Sequence, residues 1–315
     1  MAYKVLVTPR SFGRHSNEPD EILKRFGVEV KKNPYSKIMT EEQMIEEIKD
    51  VDGIIVGVDP LSKEVLQHAE KLKVISKYGV GIDNIDISYA KERNIKVARA
   101  MNANADAVAD YTFALMMAVA RKVVKIDKEC RKSNWKKITT IDVHKKTLGL
   151  VGLGNIGKKV AQRAKGFEMD VLAYDLMPDY EYANSSGVQY VNHLDEIFLK
   201  SDFISLHLPL NKHTEHIISK DQFKLMKSIA VIVNTARGGL IDEQALSEAL
   251  QEQLIWGAGI DVFESEPPQN KELLGLDNIV IGSHCAASTV QAIDNMGIIS
   301  SENLVELFEK DNEKA

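Results

Sequence analysis

The sequence predicts an α/β protein with two parallel sheets, each covered by helices. Three observations indicate this class. Short β-branched apolar runs alternate with helical patterns, this alternation occurs twice, and a long helical stretch separates the two series. The chain has 315 residues, and a chain of that length usually folds as about two domains.

The first series predicts one complete α/β unit. Its strand candidates look buried on both faces, and they read YKVLVTP, VEVKK, GIIVGV, LKVISK and IKVARA. Between them, helices are predicted at Thr40–Lys49, where Thr40 and Gln43 fit a capping box, and at Ser62–Ala69. Because parallel strands need long crossover connections, these runs predict a helix-covered parallel sheet.

The second series follows a predicted helix at Asp106–Ser133, which carries apolar residues such as Val108 and Leu115 at helical spacing. Its strand candidates read TLGLVGLG, MDVLAYD, DFISLHLP, IAVIVNTARGG, WGAGIDVF and NIVIGSHC. A last helix is predicted at Ser288–Lys310. No Gly- and Ser-rich linker separates the halves, so helices are expected to join them.

Composition narrows the class of protein. The net charge of −6 argues against a nucleic-acid partner. Two cysteines, Cys130 and Cys285, give no disulfide framework and suit a reducing cytoplasm. The longest strongly apolar stretch, Phe113–Ala120, is too short to span a bilayer. We therefore expect a soluble cytoplasmic protein without a membrane partner.

A G-x-G-x-x-G cluster marks a candidate dinucleotide site. Gly152 permits a tight turn, Gly154 lets a pyrophosphate approach, and Gly157 lets the following helix pack on the strand. Asp175 stands about 20 residues further on, where a carboxylate accepts the ribose hydroxyls and repels a 2′-phosphate. This context predicts NAD. A turn without a ligand and an S-adenosylmethionine site are the alternatives.

Three later strand ends carry Arg237, Glu266 and His284. Hydride transfer from an alcohol carbon needs an acid/base, which His284 can supply, and Glu266 can fix the tautomer of its imidazole. Arg237 can grip a carboxylate with two parallel hydrogen bonds. Each residue taken alone would more often be a surface hydrogen-bonder, but together behind a dinucleotide motif they predict a catalytic group.

Other candidates remain open at this level. Asp261 fits either a satisfied buried acid or a contact to the nicotinamide amide. Cys285, next to the histidine, raises the alternative of a thiol nucleophile, although no other feature indicates acyl chemistry. No metal site is expected, because four further histidines lack ligand spacing: His144, His193, His213 and His216.

The chain resembles the NAD-dependent D-2-hydroxyacid dehydrogenases. The matching stretches are SKYGVGIDNIDISYAKERNIKV, VGLGNIG, HLPLNKHTEHIIS, VIVNTARGGLIDEQAL and GAGIDVFESEPP. The resemblance implies that Arg237, Glu266 and His284 are catalytic and that Arg237 and His284 also bind substrate. It further implies that the backbone amides of Tyr78, Gly79, Val80 and Gly81 bind the substrate carboxylate. The implied NAD-contacting residues are Gly152, Gly154, Asn155, Ile156, Gly157, Asp175, His207, Pro209, Thr235, Ala236, Arg237, Asp261, His284 and Ala286.

The same resemblance implies the domain organisation. A discontinuous flavodoxin-like substrate domain would comprise residues 1–102 and 288–315, and a Rossmann NAD domain residues 103–287. A cleft between them would close on the substrate and exclude water. Relatives are usually homodimers through the cofactor domain, and we expect the same here.

The chain departs from the family pattern in three places. Ser283 stands where many relatives have proline before the catalytic histidine. Ala107, Asp110 and Tyr111 differ at the start of the crossing helix, which is expected to change contacts near the cleft. The chain also ends soon after its last helix, so the regulatory C-terminal domain of longer phosphoglycerate dehydrogenases is expected to be missing.

The reaction class is better defined than the substrate. Asp59 and Pro60 stand where some phosphoglycerate enzymes carry arginine. Substitutes for that cation would come from residues otherwise expected to be solvated: Arg10, Arg14, His15 and Lys77. 3-Phosphoglycerate is therefore only slightly favoured over a glycerate/hydroxypyruvate or D-lactate type of reaction. A weakly catalytic, NAD-sensing binding protein of the same fold is the alternative from another class.

Overall fold

The computed structural model describes residues 3–312, which divide into two compact units. One unit runs up to Asn104 and includes the segment from Ser288 onward, and the other is Ala105–Ala287. Each unit contains one sheet in which every pair of neighbouring strands is parallel. The predicted α/β class with two parallel sheets is confirmed.

The first unit has the strand order β2-β1-β3-β4-β5, which is the flavodoxin-like order. Its strands are β1 (Lys4–Val7), β2 (Glu29–Lys32), β3 (Gly53–Val56), β4 (Val74–Lys77) and β5 (Lys96–Arg99). Burial on both faces was predicted for all five, and this is wrong for β2 and β5. These are the edge strands, so one side of each backbone and several side chains meet solvent.

The second unit has the order β12-β11-β10-β9-β6-β7-β8, a Rossmann arrangement extended by one strand. Its strands are β6 (Thr147–Val151), β7 (Asp170–Tyr174), β8 (Gln189–Tyr190), β9 (Phe203–Leu206), β10 (Val231–Asn234), β11 (Gly257–Ile260) and β12 (Ile279–Ile281). Sequence reasoning missed β8, because two residues are too few to show a hydrophobic period.

The helices cover both faces of each sheet. In chain order they are α1 (Glu18–Arg25), α2 (Glu41–Ile48), α3 (Lys63–Gln67), α4 (Ile87–Glu92), α5 (Ala105–Ala120), α6 (Val123–Arg131), α7 (Asn155–Ala164), α8 (Tyr180–Ser186), α9 (Leu194–Lys200), α10 (Lys220–Leu225), α11 (Glu243–Gln251), α12 (Lys271–Leu274) and α13 (Val290–Asn312). The predicted capping box of Thr40 and Gln43 at α2 is present. Among the described helices, none is long and apolar enough to cross a bilayer.

The single long helix predicted at Asp106–Ser133 is wrong. It is two helices, α5 and α6, and Lys122 between them has a φ of 51°. A left-handed residue ends the helical path, and apolar spacing does not report such a break. α5 lies on the sheet, where Gly259 leaves room for Leu115, since a β-carbon at residue 259 would come within 2.9 Å of the leucine Cβ.

Candidate active site

The predicted functional residues of the second unit follow the carboxyl ends of its parallel strands. Gly152 follows β6 and Asp175 follows β7. His207 comes directly after β9, Thr235 after β10 and Asp261 after β11. Because all these strands run in the same direction, one edge of the sheet carries these residues, and ligands of such sheets bind at that edge.

The three glycines of the G-x-G-x-x-G cluster have separate roles. Gly152 has a φ of 96°, and a β-carbon there would lie 2.6 Å from the carbonyl oxygen of His207. A β-carbon on Gly157 would collide with the carbonyl of Gly152. Gly154 is the N-cap of α7, and a β-carbon there would meet no atom within 4 Å. The turn is therefore tight where protein packs on protein and open at the helix N-terminus, where a pyrophosphate fits.

Asp175 braces this turn. One carboxylate oxygen accepts from the amide of Leu153 at 2.7 Å and the other from the amide of Met177 at 2.9 Å. The carbonyl of Tyr174 accepts from the amide of Gly152 at 2.9 Å. The predicted ribose-binding carboxylate is thus fixed against the glycine turn itself.

His207 lies beneath the same turn. Its amide donates to the carbonyl of Val151 at 2.8 Å, and its Nε2 lies 3.0 Å from Oγ of Ser205. Burial lowers the pKa of the imidazole from 6.5 to about 3, because the charged form loses its hydration. The imidazole is therefore neutral at physiological pH, and its contact with Ser205 lies within the second unit. Pro209, two residues later, is exposed, and its carbonyl accepts from Thr214.

Arg237 belongs to a turn that Asn234 closes. The side chain of Asn234 accepts from the amide of Ala236 at 3.0 Å and donates to the carbonyl of Arg237 at 2.8 Å. The guanidinium donates through Nη1 to the carbonyl of Ala236 at 2.6 Å. Gly238 follows, packed so closely on the carbonyl of Phe263 that no β-carbon would fit. Sequence reasoning missed Asn234, although a polar residue ending an apolar strand was a signal for it.

Asp261 organises the loop that carries His284. The carboxylate is fully buried and accepts from the amides of Cys285 at 3.0 Å and Ala286 at 2.9 Å. Its own carbonyl accepts from the amide of His284 at 2.7 Å. Gly282 is required beside it, because a β-carbon there would overlap the carboxylate. Asp261 is therefore a satisfied buried acid, and its contact with nicotinamide stays a prediction.

His284 and Glu266 form a direct pair. Nδ1 of the imidazole lies 2.8 Å from Oε2 and 3.1 Å from Oε1 of the carboxylate. Both side chains are partly exposed, and Oε1 also accepts from the amide of Phe263 at 3.2 Å. The backbone of His284 has a φ of 55°, just after Ser283. The carboxylate fixes Nδ1 as the protonated nitrogen, so Nε2 remains for proton exchange.

A cavity of about 510 Å³ brings the three predicted catalytic residues together. Arg237, Glu266 and His284 all line it, along with apolar residues that include Leu210 and Phe263. All of its lining residues belong to the second unit. These distant sequence positions therefore line one concave surface.

A second histidine–carboxylate pair lines this cavity. Nε2 of His216 lies 3.0 Å from Oε1 of Glu264, which also accepts from the amide of Glu243 at 3.2 Å. Glu243 in turn accepts from the amide of Glu264 at 2.6 Å, and burial raises the pKa of its carboxyl. This pair was not predicted. It ties together the loop after β9, the start of α11 and the turn after β11.

The thiol of Cys285 contacts a phenol and a carboxylate. Its Sγ donates to the hydroxyl of Tyr111 at 3.3 Å and lies 3.6 Å from the carboxylate of Asp261. Burial raises the pKa of the Tyr111 phenol, and the neighbouring thiol adds to the rise. The predicted change of contacts at Tyr111 is thus a contact with this thiol. Asp110 points elsewhere and pairs with Arg163 of α7 at 2.6 Å.

Thr235 is buried behind the arginine turn. Its Oγ1 lies 3.0 Å from Oγ1 of Thr112, whose hydroxyl donates to the carbonyl of Val108 at 2.8 Å. The Thr112 proton is already used, so Thr235 is the donor between the two hydroxyls. α5 is thereby joined to the end of β10.

In the first unit, the predicted carboxylate-binding loop follows β4. The amide of Tyr78 donates to the carbonyl of Val56 at 2.9 Å, and the amide of Gly79 donates to the carbonyl of Lys77 at 3.0 Å. Gly79 has a φ of 131°, which a residue with a side chain rarely adopts. The structure commits these two amides to the fold, so within the loop Val80 and Gly81 are the better donors for a ligand.

The neighbouring polar residues hold this unit together. Nζ of Lys77 donates to the carbonyl of Gly57 at 2.5 Å and to Oδ1 of Asn84 at 2.6 Å, and this lysine is buried. Asp59 is also buried and accepts from Thr8 at 2.5 Å. The expectation that Lys77 is solvated is therefore wrong. Neither Lys77 nor Asp59 lies at the surface, where it could bind a phosphate.

Comparisons with known proteins identify the family. Residues 113–286 match the NAD-binding domain of the D-isomer specific 2-hydroxyacid dehydrogenases. A glyoxylate reductase of Thermococcus litoralis is 41% identical over 90% of this chain and 88% of its own. A D-3-phosphoglycerate dehydrogenase of Methanocaldococcus jannaschii is 44% identical over 84% of this chain, which spans about half (51%) of that relative.

A solved structure shows the same fold. The D-lactate dehydrogenase of Aquifex aeolicus, complexed with NAD and lactic acid, aligns with a TM-score of 0.84 and 30% identity. The alignment covers 98% of this chain and 96% of that one. The chain belongs to the D-isomer-specific 2-hydroxyacid dehydrogenases, a family of NAD-dependent oxidoreductases that act on 2-hydroxy acids.

Proposed function

We propose that Arg237, Glu266 and His284 are the catalytic residues of a reductase for small 2-keto acids. The observation that carries this proposal is the single cavity that all three line, with the imidazole 2.8 Å from the carboxylate. A guanidinium, an oriented imidazole and a carboxylate supply substrate binding, proton exchange and orientation, which are the three functions that this reaction needs from the protein.

NAD fits the glycine turn. The open space at Gly154, the N-terminus of α7 and the braced carboxylate of Asp175 suit a pyrophosphate followed by a ribose. We propose that Asn155 and Ile156 hold the pyrophosphate, together with the first-turn amides. The remaining proposed contacts are His207, Pro209, Thr235, Ala236, Asp261 and Ala286. NAD, when bound, exchanges the hydride with C2 of the substrate.

The imidazole of His284 moves the proton. In the reduction direction, protonated Nε2 donates to the substrate carbonyl oxygen, while Nδ1 stays hydrogen-bonded to Glu266. In the oxidation direction, Nε2 takes the hydroxyl proton back. The carboxylate stabilises the positive charge on the ring in both directions.

Arg237 holds the substrate. Its planar guanidinium can bind a carboxylate with two parallel hydrogen bonds and polarise the adjacent carbonyl. We also propose that the amides of Val80 and Gly81 donate to the substrate carboxylate. The first unit, residues 1–102 with 288–315 in the predicted division, would then be the substrate-binding domain, and residues 103–287 the NAD-binding domain.

The substrate that we favour is glyoxylate or hydroxypyruvate. The sequence slightly favoured 3-phosphoglycerate, but Lys77 and Asp59 are committed to internal contacts. The glyoxylate reductase relative also matches over nearly its full length, whereas the phosphoglycerate dehydrogenase relative matches over about half, at 88% against 51%. Lys77 therefore does not supply the cation that a phosphate on the substrate would need.

The test is NADH oxidation with glyoxylate, hydroxypyruvate, phosphohydroxypyruvate and pyruvate. We expect the highest kcat/KM with one of the first two. A preference for phosphohydroxypyruvate would overturn the substrate assignment. No turnover with any of the four, together with tight NADH binding, would favour an NAD-sensing role.

We also propose that the protein is a homodimer. α6 buries none of its side chains within the chain, and Val123 and Val124 on it are about half exposed, at 53% and 55%. Trp135, shortly after α6, is 81% exposed. Such an apolar surface suits a second copy. Analytical ultracentrifugation is expected to show a dimer that Trp135→Glu weakens, whereas a monomer at micromolar concentration would refute the proposal.

A cytoplasmic location is proposed on the two cysteines. Cys130 and Cys285 are both free thiols and do not pair with each other. Free thiols persist in a reducing compartment. Cell fractionation tests the location, and recovery in a secreted fraction would contradict it.

A further inference from the structure

We propose that Asn234 is a positioning residue for Arg237, whose guanidinium it holds ready for the substrate carboxylate. The proposal rests on the function proposed for Arg237 and adds a residue that does not line the catalytic cavity. Asn234 acts through the turn that follows β10, without contact to the substrate.

Three hydrogen bonds form a closed ring. Oδ1 of Asn234 accepts from the amide of Ala236 at 3.0 Å. The carbonyl of that same alanine accepts from Nη1 of Arg237 at 2.6 Å. The carbonyl of Arg237 accepts from Nδ2 of Asn234 at 2.8 Å. The asparagine side chain therefore fixes the peptide group on which the guanidinium rests.

The ring stands on a rigid base. Asn234 is only 1% exposed and is the last residue of β10, paired with Leu206 of β9 and Ile260 of β11. Its carbonyl also accepts from the amide of Asp261 at 2.9 Å. With strands on both sides, the backbone of Asn234 cannot shift to follow a loosened turn, so its side chain sets the turn's position.

Asn234 also links the two catalytic turns. Asp261, which its carbonyl binds, accepts from the amides of Cys285 and Ala286 and so places the His284 loop. Neighbouring strand ends therefore each use one buried polar side chain to brace one catalytic turn. This arrangement suits a reaction in which the guanidinium and the imidazole must contact the same substrate from fixed relative positions.

An amide is the side chain that this ring requires. It must accept at one atom and donate at the other, over a distance that serine cannot span. Aspartate has nearly the same shape but cannot donate, so it would place a carboxylate against the carbonyl of Arg237. Without the ring, the peptide group that supports the guanidinium would be less ordered, and substrate binding would then bear the cost of ordering it.

The experiment compares Asn234→Asp with Asn278→Asp in the full-length protein. Asn278 is a matched control because it lies in the same unit and donates to the carbonyl of Leu250 at 3.0 Å. We expect Asn234→Asp to raise KM for the keto acid about tenfold, with smaller changes in NADH affinity and in kcat. Asn278→Asp is expected to leave KM unchanged.

A coupling test separates positioning from a merely structural role. In an Arg237→Lys background, Asn234→Asp should raise KM much less than in the native protein, because the fork that it positions is already gone. Equal effects in both backgrounds would overturn the proposal. An unchanged KM in folded Asn234→Asp would overturn it too.

A substitute variant and a second measurement keep the test decisive. If Asn234→Asp does not fold, Asn234→Ser replaces it, with the same expected rise in KM. The second measurement is the exchange rate of the Arg237 guanidinium protons by NMR, and their signal is assigned by its loss in Arg237→Lys. Faster exchange in the Asn234 variant supports positioning even if none of the keto acids is a substrate. Unchanged exchange refutes it, and the two proposals therefore fail separately.

Discussion

Nδ1 of His284 lies 2.8 Å from Oε2 of Glu266, and the second carboxylate oxygen lies 3.1 Å from the same nitrogen. The histidine follows β12, the glutamate lies in the turn after β11, and 18 positions separate them in the chain. This hydrogen bond keeps Nδ1 protonated and leaves Nε2 for proton exchange with a substrate.

Replacing His284 with alanine should lower kcat by roughly 10²- to 10⁴-fold, because proton exchange is lost, while NADH still binds. Single-turnover kinetics and NADH fluorescence titration measure the two effects. His216→Ala is the matched control, since this residue forms the other histidine–glutamate pair of the same cavity. Comparable losses in the two variants would contradict the assignment of His284.

Arg237→Lys should raise KM for the keto acid about tenfold to a hundredfold, as expected when a charge-assisted hydrogen bond of about 1.5–3 kcal/mol is lost. A lysine keeps the charge but not the planar fork. Arg163→Lys is the control, because Arg163 joins α7 to the acidic residues Asp106 and Asp110 of α5. Normal saturation of Arg237→Lys by the keto acid would count against its role.

Asp175→Ala should weaken NADH binding and reduce discrimination against NADPH. The repulsion of a 2′-phosphate disappears, and the turn loses the bond from the amide of Leu153. Binding of both cofactors by fluorescence gives the ratio. Asp179→Ala serves as control, since that carboxylate caps α8 and pairs with Lys158. An unaltered cofactor ratio would remove Asp175 from the ribose site.

The stability of the protein should fall with acid partly through His207. Burial lowers the pKa of His207 from 6.5 to about 3 in the folded protein, so only the unfolded chain takes up this proton between those values. The free energy of unfolding therefore decreases as the pH falls from about 6.5 toward 3. His207→Gln should flatten this slope in urea unfolding series at several pH values. A slope identical to the native one would show that the imidazole is not buried neutral.

The fold class and the shared location of the three candidate catalytic residues were predictable because their signals are local. Parallel strands buried on both faces appear as continuous apolar runs, and strand ends can be counted along the chain, which placed Arg237, Glu266 and His284 at one edge. The break at Lys122 and the exposure of β2 and β5 were not predictable. One depends on a single left-handed residue, and the other on which strands lie at the edge of a sheet.

The sequence by itself determined two parallel sheets, a glycine turn for NAD and three candidate catalytic residues in a fixed order. Only the tertiary structure decided what holds them in place. In the folded chain, the side chain of Asn234 forms hydrogen bonds with the turn of Arg237. Both carboxylate oxygens of Asp261 accept from amides of the His284 loop. The amides of Tyr78 and Gly79 donate to neighbouring carbonyls. Hydrogen-bond partners come from chain segments that meet only after strands pair, so residue spacing cannot reveal them.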